Sequence, residues 1–245
     1  MFLRSTQKSI VGDRWLSETA GFDCFNVTNT NFASSHHDFP NGLITAKLDL
    51  SNRDTPERIR QLTGFGFRAI TFQVLLSGMV ERSMALERNL NRGGLAISTA
   101  RNSDQKGVVD LAARAFSLDR FHADPLIPRK ISDRVKGAWV ESFFRGKRGT
   151  SLTVAKVSGT LCGFLLTLES RDEIVIDLIA VDQRFQGQGI ASKLLAHQVA
   201  LRSVDQLRIS AGTQLSNQPS LNLYRAWGLE EQKQDVVLHR VKGLE

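Results

Sequence analysis

Two spacings of apolar residues alternate along the chain from Leu43 onward, and each spacing predicts an element. Leu43 to Leu50 (LITAKLDL) reads as a strand. Thr55, Pro56 and Glu57 then open a short helix, with Thr as N-cap and Pro in the first turn. Ile59, Leu62 and Thr63 form its apolar side, and Gly64 and Gly66 end it before a second strand, Arg68 to Leu76 (RAITFQVLL). Arg82 to Arg92 is charged and polar and Gly93-Gly94 is a break, so residues 82–96 read as a connector. A domain boundary placed there divides the chain into residues 1–96 and 97–245. The first 40 residues, rich in Asn, Thr and Ser between Asn26 and Phe39, read as loops with short strands.

After the connector the elements come closely. Ser103-Asp104 caps a helix to about Ser117, with Val109, Ala112, Ala113 and Phe116 facing inward. Asp119 to Pro128 reads as a loop, and Ser132-Asp133 caps a second helix carrying Val135, Trp139, Val140 and Phe143. Thr150–Val157, Leu161–Leu168 and Ile174–Val181 make a meander of three antiparallel strands. A Gly-rich turn leads into a long helix buried through Ile190, Leu194, Leu195, Val199 and Leu201. A strand (Gln206–Ser210), a short helix (Pro219–Trp227) stopped by Gly228, and a last strand (Val236–Val241) complete the pattern. A helix, a glycine and a strand thus occur twice, at residues 55–76 and 219–241. Together these elements give an α/β protein with a mixed sheet.

Composition narrows the classes. The 245 residues are 41% hydrophobic and 23% charged, ordinary for a globular protein. The longest apolar run, Ile174 to Val181, is strand-sized and interrupted by Asp177, far short of the roughly 18 residues of a membrane helix. The N-terminus lacks the apolar stretch of a secretory signal, and the expected location is cytoplasmic. Cys24 and Cys162 have no Cys or His neighbour at ligand spacing, which predicts neither a disulfide framework nor a metal site. The net charge of +7 attracts polyanions without choosing among them. Arg145, Lys147 and Arg148 form one local basic cluster, read as a solvated turn. A basic nucleic-acid-binding module would want a basic helix with heptads, zinc-ligand spacing or an aromatic RNA-binding strand, and none is present.

The most informative segment runs from Ala180 to Ser192 (AVDQRFQGQGIAS). It joins an apolar strand to an amphipathic helix. Gly187 and Gly189 remove side chains where the helix presents its unpaired N–H groups and its positive end, the chemistry of a pyrophosphate cradle. A P-loop would need Gly-Lys-Ser/Thr, which is absent, and a dinucleotide fingerprint would need glycine where Ser192 stands. A plain strand–helix turn with glycines for geometry is the competing reading.

Gln186-x-x-Gly189-x-Ala191 resembles the Arg/Gln-x-x-Gly-x-Gly/Ala signature of the GNAT acetyltransferase superfamily. Asn217, followed by Leu223-Tyr224-Arg-Ala-Trp-Gly228-Leu229, resembles the family's Asn…Leu-Tyr-x-x-x-Gly-Phe segment, with Leu229 in place of Phe. The likeness covers about residues 100–241. Ala115-Phe116-x-x-x-Arg120-Phe121-x-x-Asp124-Pro125 also resembles a loop of bacterial nucleotide-sugar amino-group acetyltransferases, the dTDP-4-amino-4,6-dideoxygalactose type. That second likeness implies a smaller, truncated GNAT-like domain ahead of the GNAT fold, which the repeated helix–glycine–strand suits.

The resemblance implies acetyl-CoA as donor, a primary amine as acceptor and no metal. It implies that Leu178, Ile179, Ala180 and Val181 lie along the pantetheine, with a free backbone N–H polarising the thioester carbonyl. Gln186, Gly187, Gln188, Gly189, Ile190, Ala191 and Ser192 then hold the pyrophosphate. Asn217 binds the same cofactor, or caps the helix before Pro219. Tyr224, the only tyrosine, protonates the departing thiolate, or is a core aromatic. Asp177 is the candidate base, sharing a strand face with Val175 and Ile179, or a strand-edge charge. His122 and His197 are weaker candidates. Arg120, Phe121 and His122 would meet the acceptor, with Arg120 on its phosphate. The preferred acceptor is a nucleotide-linked amino sugar. A protein N-terminus, a lysine or an aminoglycoside are the alternatives, and a homodimer is left open.

Overall fold

The computed structural model describes residues 10–28, 39–88 and 94–243. Its elements are β1 (Ile10–Gly12), α1 (Arg14–Ala20), β2 (Cys24–Val27), β3 (Gly42–Asp49), α2 (Thr55–Gly64), β4 (Arg68–Glu81), α3 (Arg82–Arg88), β5 (Leu95–Thr99) and α4 (Gln105–Ala115). They continue with α5 (Arg120–Ala123), α6 (Arg129–Phe144), β6 (Ser151–Val157), β7 (Thr160–Glu169), β8 (Glu173–Val181), α7 (Ile190–Ala200), β9 (Gln206–Gln214), α8 (Gln218–Ala226) and β10 (Glu230–Lys242). The class is mixed α/β, as the periodicity indicates.

The ten strands of the described residues form one sheet in the order β1-β2-β3-β10-β4-β9-β8-β7-β6-β5. The expected meander is there, β6 against β7 against β8, all antiparallel. Helices cover both faces. On one, α7 and α8 bury Leu194, Leu195, Val199, Leu221 and Trp227 against Leu76, Ile174 and Ile209. On the other, Val108, Leu111 and Ala112 of α4 and Val140 of α6 close over Leu152, Val154, Phe164 and Leu166. Burying a leucine or valine in such a layer contributes about 1.5–3 kcal/mol.

Several sequence expectations are corrected. The stretch 82–96 is not only a connector: it contains α3 and the start of β5, while residues 89–93 lie outside the described part. Thr55 does not cap α2. Its hydroxyl donates to the Asp49 carbonyl, and Asp54 stands at the N-cap position. The inward face of α4 is Val108, Leu111 and Ala112, one residue out of phase with Val109 and Ala113. α6 begins at Arg129, before the proposed Ser132-Asp133 cap, and Pro128 occupies its N-cap.

The repeated helix–glycine–strand units meet in space: β4 pairs antiparallel with β10. β4 also pairs antiparallel with β9, from Gln73 opposite Gln214 to Glu81 opposite Gln206. One sheet therefore runs through both portions of the chain, and an early strand separates two late ones. A chain beginning at Leu95 would leave facing edges of β9 and β10 without partners, and open edges recruit other chains. Such a truncation is expected to aggregate in size-exclusion chromatography. A monodisperse, cooperatively melting fragment would show that residues before Leu95 are dispensable for folding.

Candidate functional site

The site begins where two parallel strands part. β8 pairs with β9 only as far as Ile176 opposite Ala211, yet β8 runs on to Val181 and β9 to Gln214. From Asp177 to Val181 the β8 edge toward β9 has no strand partner, so backbone polar groups are left for a ligand. Against β7 the register jumps from Leu166 opposite Leu178 to Thr167 opposite Ile176, which makes Asp177 the extra residue of a β-bulge. The bulge exchanges the faces of β8. Ile174 and Ile176 pack under α7, whereas Leu178 and Ala180 pack toward α4 and α6. Simple alternation therefore fails here: Asp177 turns toward α6, and Ile179 faces the α7 side.

At the end of β8 the chain turns through a single 3-10 turn into α7. Asp182 locks this corner. Its carboxylate accepts from the Arg184 amide at 3.1 Å, Arg184 Nε at 3.0 Å and Arg114 Nη2 at 3.0 Å. These bonds, Arg184 foremost, hold its carboxyl far below the usual range. Gln186 Nε2 donates to the Val181 carbonyl at 3.0 Å, tying the turn to the strand. Gly187 and Gly189 both have left-handed backbone, φ 75° and 73°, and Gly189 is the N-cap of α7. A Cβ built on either would meet no protein atom within 4 Å, so the space before them is open. The first amides of α7 have no intrahelical acceptor and open on that space.

The parted strands, the turn and α8 enclose a cleft of about 920 Å³. Leu178, Ile179, Ala180, Val181, Gln186, Gly187, Gly189, Ile190, Ala191, Ser192, Asn217 and Tyr224, all expected from the sequence, line it together. Gln188, expected beside them, is not among the lining residues. Ser192 Oγ accepts from Trp227 Nε1 at 3.0 Å. Asn217 caps α8: Oδ1 accepts from the Ser220 amide at 3.4 Å and Nδ2 donates to Thr213 Oγ1 at 3.1 Å. Tyr224 is 3% exposed, and burial pushes its phenol above the ordinary value, with Ser220 acting the other way.

Asp177 also lines the cleft, but both its oxygens are engaged. Arg148 grips it bidentately at 2.7 Å and 2.7 Å, and Trp139 Nε1 donates at 3.0 Å. Arg148 is thus not part of a solvated turn. It also stacks 4.1 Å over the Trp139 ring.

The expected acceptor residues do not line the cleft. Residues 120–123 form a helical turn, α5, which directs Phe121 inward at 3% exposure, beside His239. Arg120 Nε is buried with no acceptor among the described residues. His122 is buried between two carboxylates, with Nδ1 2.5 Å from Asp119 and Nε2 2.9 Å from Asp133. Burial alone would lower its pKa, but these two bonds leave it above the ordinary histidine value. His197 sits on α7 without a role in the cleft. What the sequence reading passed over is Lys136, which lines the cleft with Phe116 and Trp139. Its signal was present: it falls three residues before Trp139 and four before Val140, on the apolar stripe of α6.

A mixed sheet parted beside a bulged strand, opening on a glycine-lined helix N-terminus, is a geometry that can hold a diphosphate-bearing ligand. Residues 114–229 match the acetyltransferase (GNAT) family, and the chain carries a GNAT acetyltransferase domain. Over 143 residues it is 30% identical to the spore coat polysaccharide biosynthesis protein SpsD of Bacillus subtilis (strain 168), covering 58% of this chain and 49% of SpsD. The chain thus spans about half the length of that curated relative. A functionally unknown conserved protein from Staphylococcus epidermidis ATCC 12228 superposes with TM-score 0.60 at 16% identity, over 82% of this chain and 73% of that one. A GCN5-related N-acetyltransferase from Kribbella flavida gives TM-score 0.53 at 13% identity, over 96% and 88%. These two likenesses concern the fold.

Proposed function

We propose that this chain transfers an acetyl group from acetyl-CoA to a primary amine, the amine being that of a nucleotide-linked amino sugar. The observation that carries the reading is the cleft itself, where an unpaired strand edge, an open glycine turn and a buried tyrosine converge. The first amides of α7, with those of the turn at Gly187 and Gly189, would hold the diphosphate of acetyl-CoA. The dipole alone contributes only about 0.3–1 kcal/mol, so several N–H bonds to charged oxygens must supply most of the affinity. The free β8 edge would pair with the pantetheine as an added strand does, and one of its amides would stabilise the charge that develops on the thioester oxygen. When bound, acetyl-CoA supplies the acyl group and the thiol leaving group. Tyr224 would hold its proton against the departing sulfur. The sugar acceptor is supported by SpsD, named for polysaccharide biosynthesis. No described helix is long and apolar enough to cross a membrane, and we place the reaction in the cytoplasm.

The expected result is release of free thiol from acetyl-CoA that depends on an added amine. A panel of amino-sugar nucleotides, peptides and aminoglycosides identifies the acceptor by its kcat/KM. Absence of any heat on titrating acetyl-CoA into the protein would end this reading.

A further inference from the structure

The acceptor end of the cleft is wide in chemistry but narrow in charge. Its lining contains three charged side chains among the described residues: Asp119, Lys136 and Asp177. Asp177 is already paired with Arg148. Asp119 accepts from the Phe121 amide at 2.9 Å and is 2.5 Å from His122 Nδ1, which leaves it as only a distant partner of Lys136, at 3.8 Å. Lys136 Nζ makes no hydrogen bond among the described residues, although its side chain is only 8% exposed. It rests 5.0 Å from the ring centre of Phe116 and 4.9 Å from that of Trp139, positions that favour the ammonium over the neutral amine. Burial acts the other way and lowers its pKa, as do Arg120 and Arg148 nearby, while Asp119 and Asp177 raise it. Four groups thus surround Lys136, and the two carboxylates among them are committed elsewhere.

A buried ammonium with unspent donors is costly unless a ligand completes it. The position fits an acceptor rather than the cofactor's diphosphate. Lys136 shares Trp139 with the bulge at Asp177, and the five strand residues from Asp177 to Val181 span roughly 13 Å before the glycine turn begins. An amine substrate carrying only positive charge would be repelled here. Granted amine transfer at this cleft, we infer that Lys136 is a specificity residue that binds an anionic group on the acceptor, so the acceptor is an amine bearing its own phosphate or carboxylate. With Asp119 and Asp177 already engaged, the ammonium is the charged group of that wall with donors to spare, and a phosphate oxygen there would take its free N–H groups. Among the amines considered above, this selects a sugar phosphate or nucleotide and excludes polycationic aminoglycosides.

The test uses pairs of amines differing by one phosphate: glucosamine against glucosamine 6-phosphate, and galactosamine against galactosamine 1-phosphate. The unsubstituted chain is expected to favour the phosphorylated member by about 10- to 100-fold in kcat/KM, the size of a hydrogen bond to a charged group. K136M should bring that ratio to about one, and K136R, which keeps the charge, should restore most of it. A ratio near one in the unsubstituted chain, or one that K136M leaves unchanged, overturns the inference. Calorimetry of the same pairs on protein saturated with coenzyme A separates the two readings. Turnover without a phosphate preference refutes the anion site alone. A Lys136-dependent preference in binding with no turnover upholds the anion site and refutes amine acetylation.

Discussion

Tyr224→Phe is expected to lower kcat by about two to three orders of magnitude while the affinity for acetyl-CoA stays within about threefold, the range for removal of a general acid. The substitution is clean because the ring survives. Tyr224 is buried with Leu221, Trp227 and Leu229, and Phe keeps that packing. What disappears is the hydroxyl alone. The reaction feels the loss more. A thiol with pKa near 8.5 leaves as thiolate beside a phenol near 10, so full proton transfer is uphill by roughly 2 kcal/mol even before burial is counted. Burial raises the phenol further, which keeps Tyr224 protonated across the working pH range and makes it a hydrogen-bond donor. The same dry environment penalises a thiolate, so the two pKa values rise together and the gap does not widen in proportion. Steady-state kinetics with calorimetry on both proteins decides it. Equal turnover would remove Tyr224 from the chemistry and leave it a core aromatic.

What the sequence made legible was local. Gly187, Gly189 and the 3.6-residue stripe of Ile190, Leu194, Leu195 and Val199 identify the turn and its helix because both signals are short-range. Tyr224 followed by Gly228 places α8 in the same way. Three features escaped. The bulge at Asp177 is invisible because β8 alternates in burial without a break from Glu173 to Val181, and only the partner strand reveals the extra residue. The insertion of β4 between β9 and β10 joins strands far apart in the chain, such as Glu81 with Gln206, beyond any periodicity. Arg148 reads by residue type as a solvated charge, and Lys136 gives no such reading at all. Their places are set by packing, one on the buried stripe of α6 and the other against Asp177. The loop at Arg120 to His122 misled for a related reason. A single helical turn points those side chains into the protein, and sequence likeness of a loop does not report which way it faces.

Gly189→Val should abolish measurable acetyl-CoA binding while costing the fold little. Two separate effects follow from one side chain. At φ 73° an L-residue is strained by about 1–2 kcal/mol, more for a β-branched one. That lowers the melting temperature by a few degrees for a chain of this size. No clash adds to this, since a Cβ there meets no atom within 4 Å. The branched side chain would instead occupy the open space in front of the Ile190, Ala191 and Ser192 amides, where the diphosphate must lie. Losing two N–H bonds to a charged group costs about 3–6 kcal/mol, or roughly 10²- to 10⁴-fold in affinity. Gly146→Val separates strain from obstruction. Gly146 also has left-handed backbone, φ 66°, and open space around its Cβ, but it lies in the turn between α6 and β6 and does not line the cleft. Both variants should therefore lose similar stability in thermal melts, and only Gly189→Val should lose the heat of acetyl-CoA binding. Parental affinity in Gly189→Val would show that the coenzyme does not sit on the α7 N-terminus. An equal loss in Gly146→Val would assign the effect to a destabilised fold.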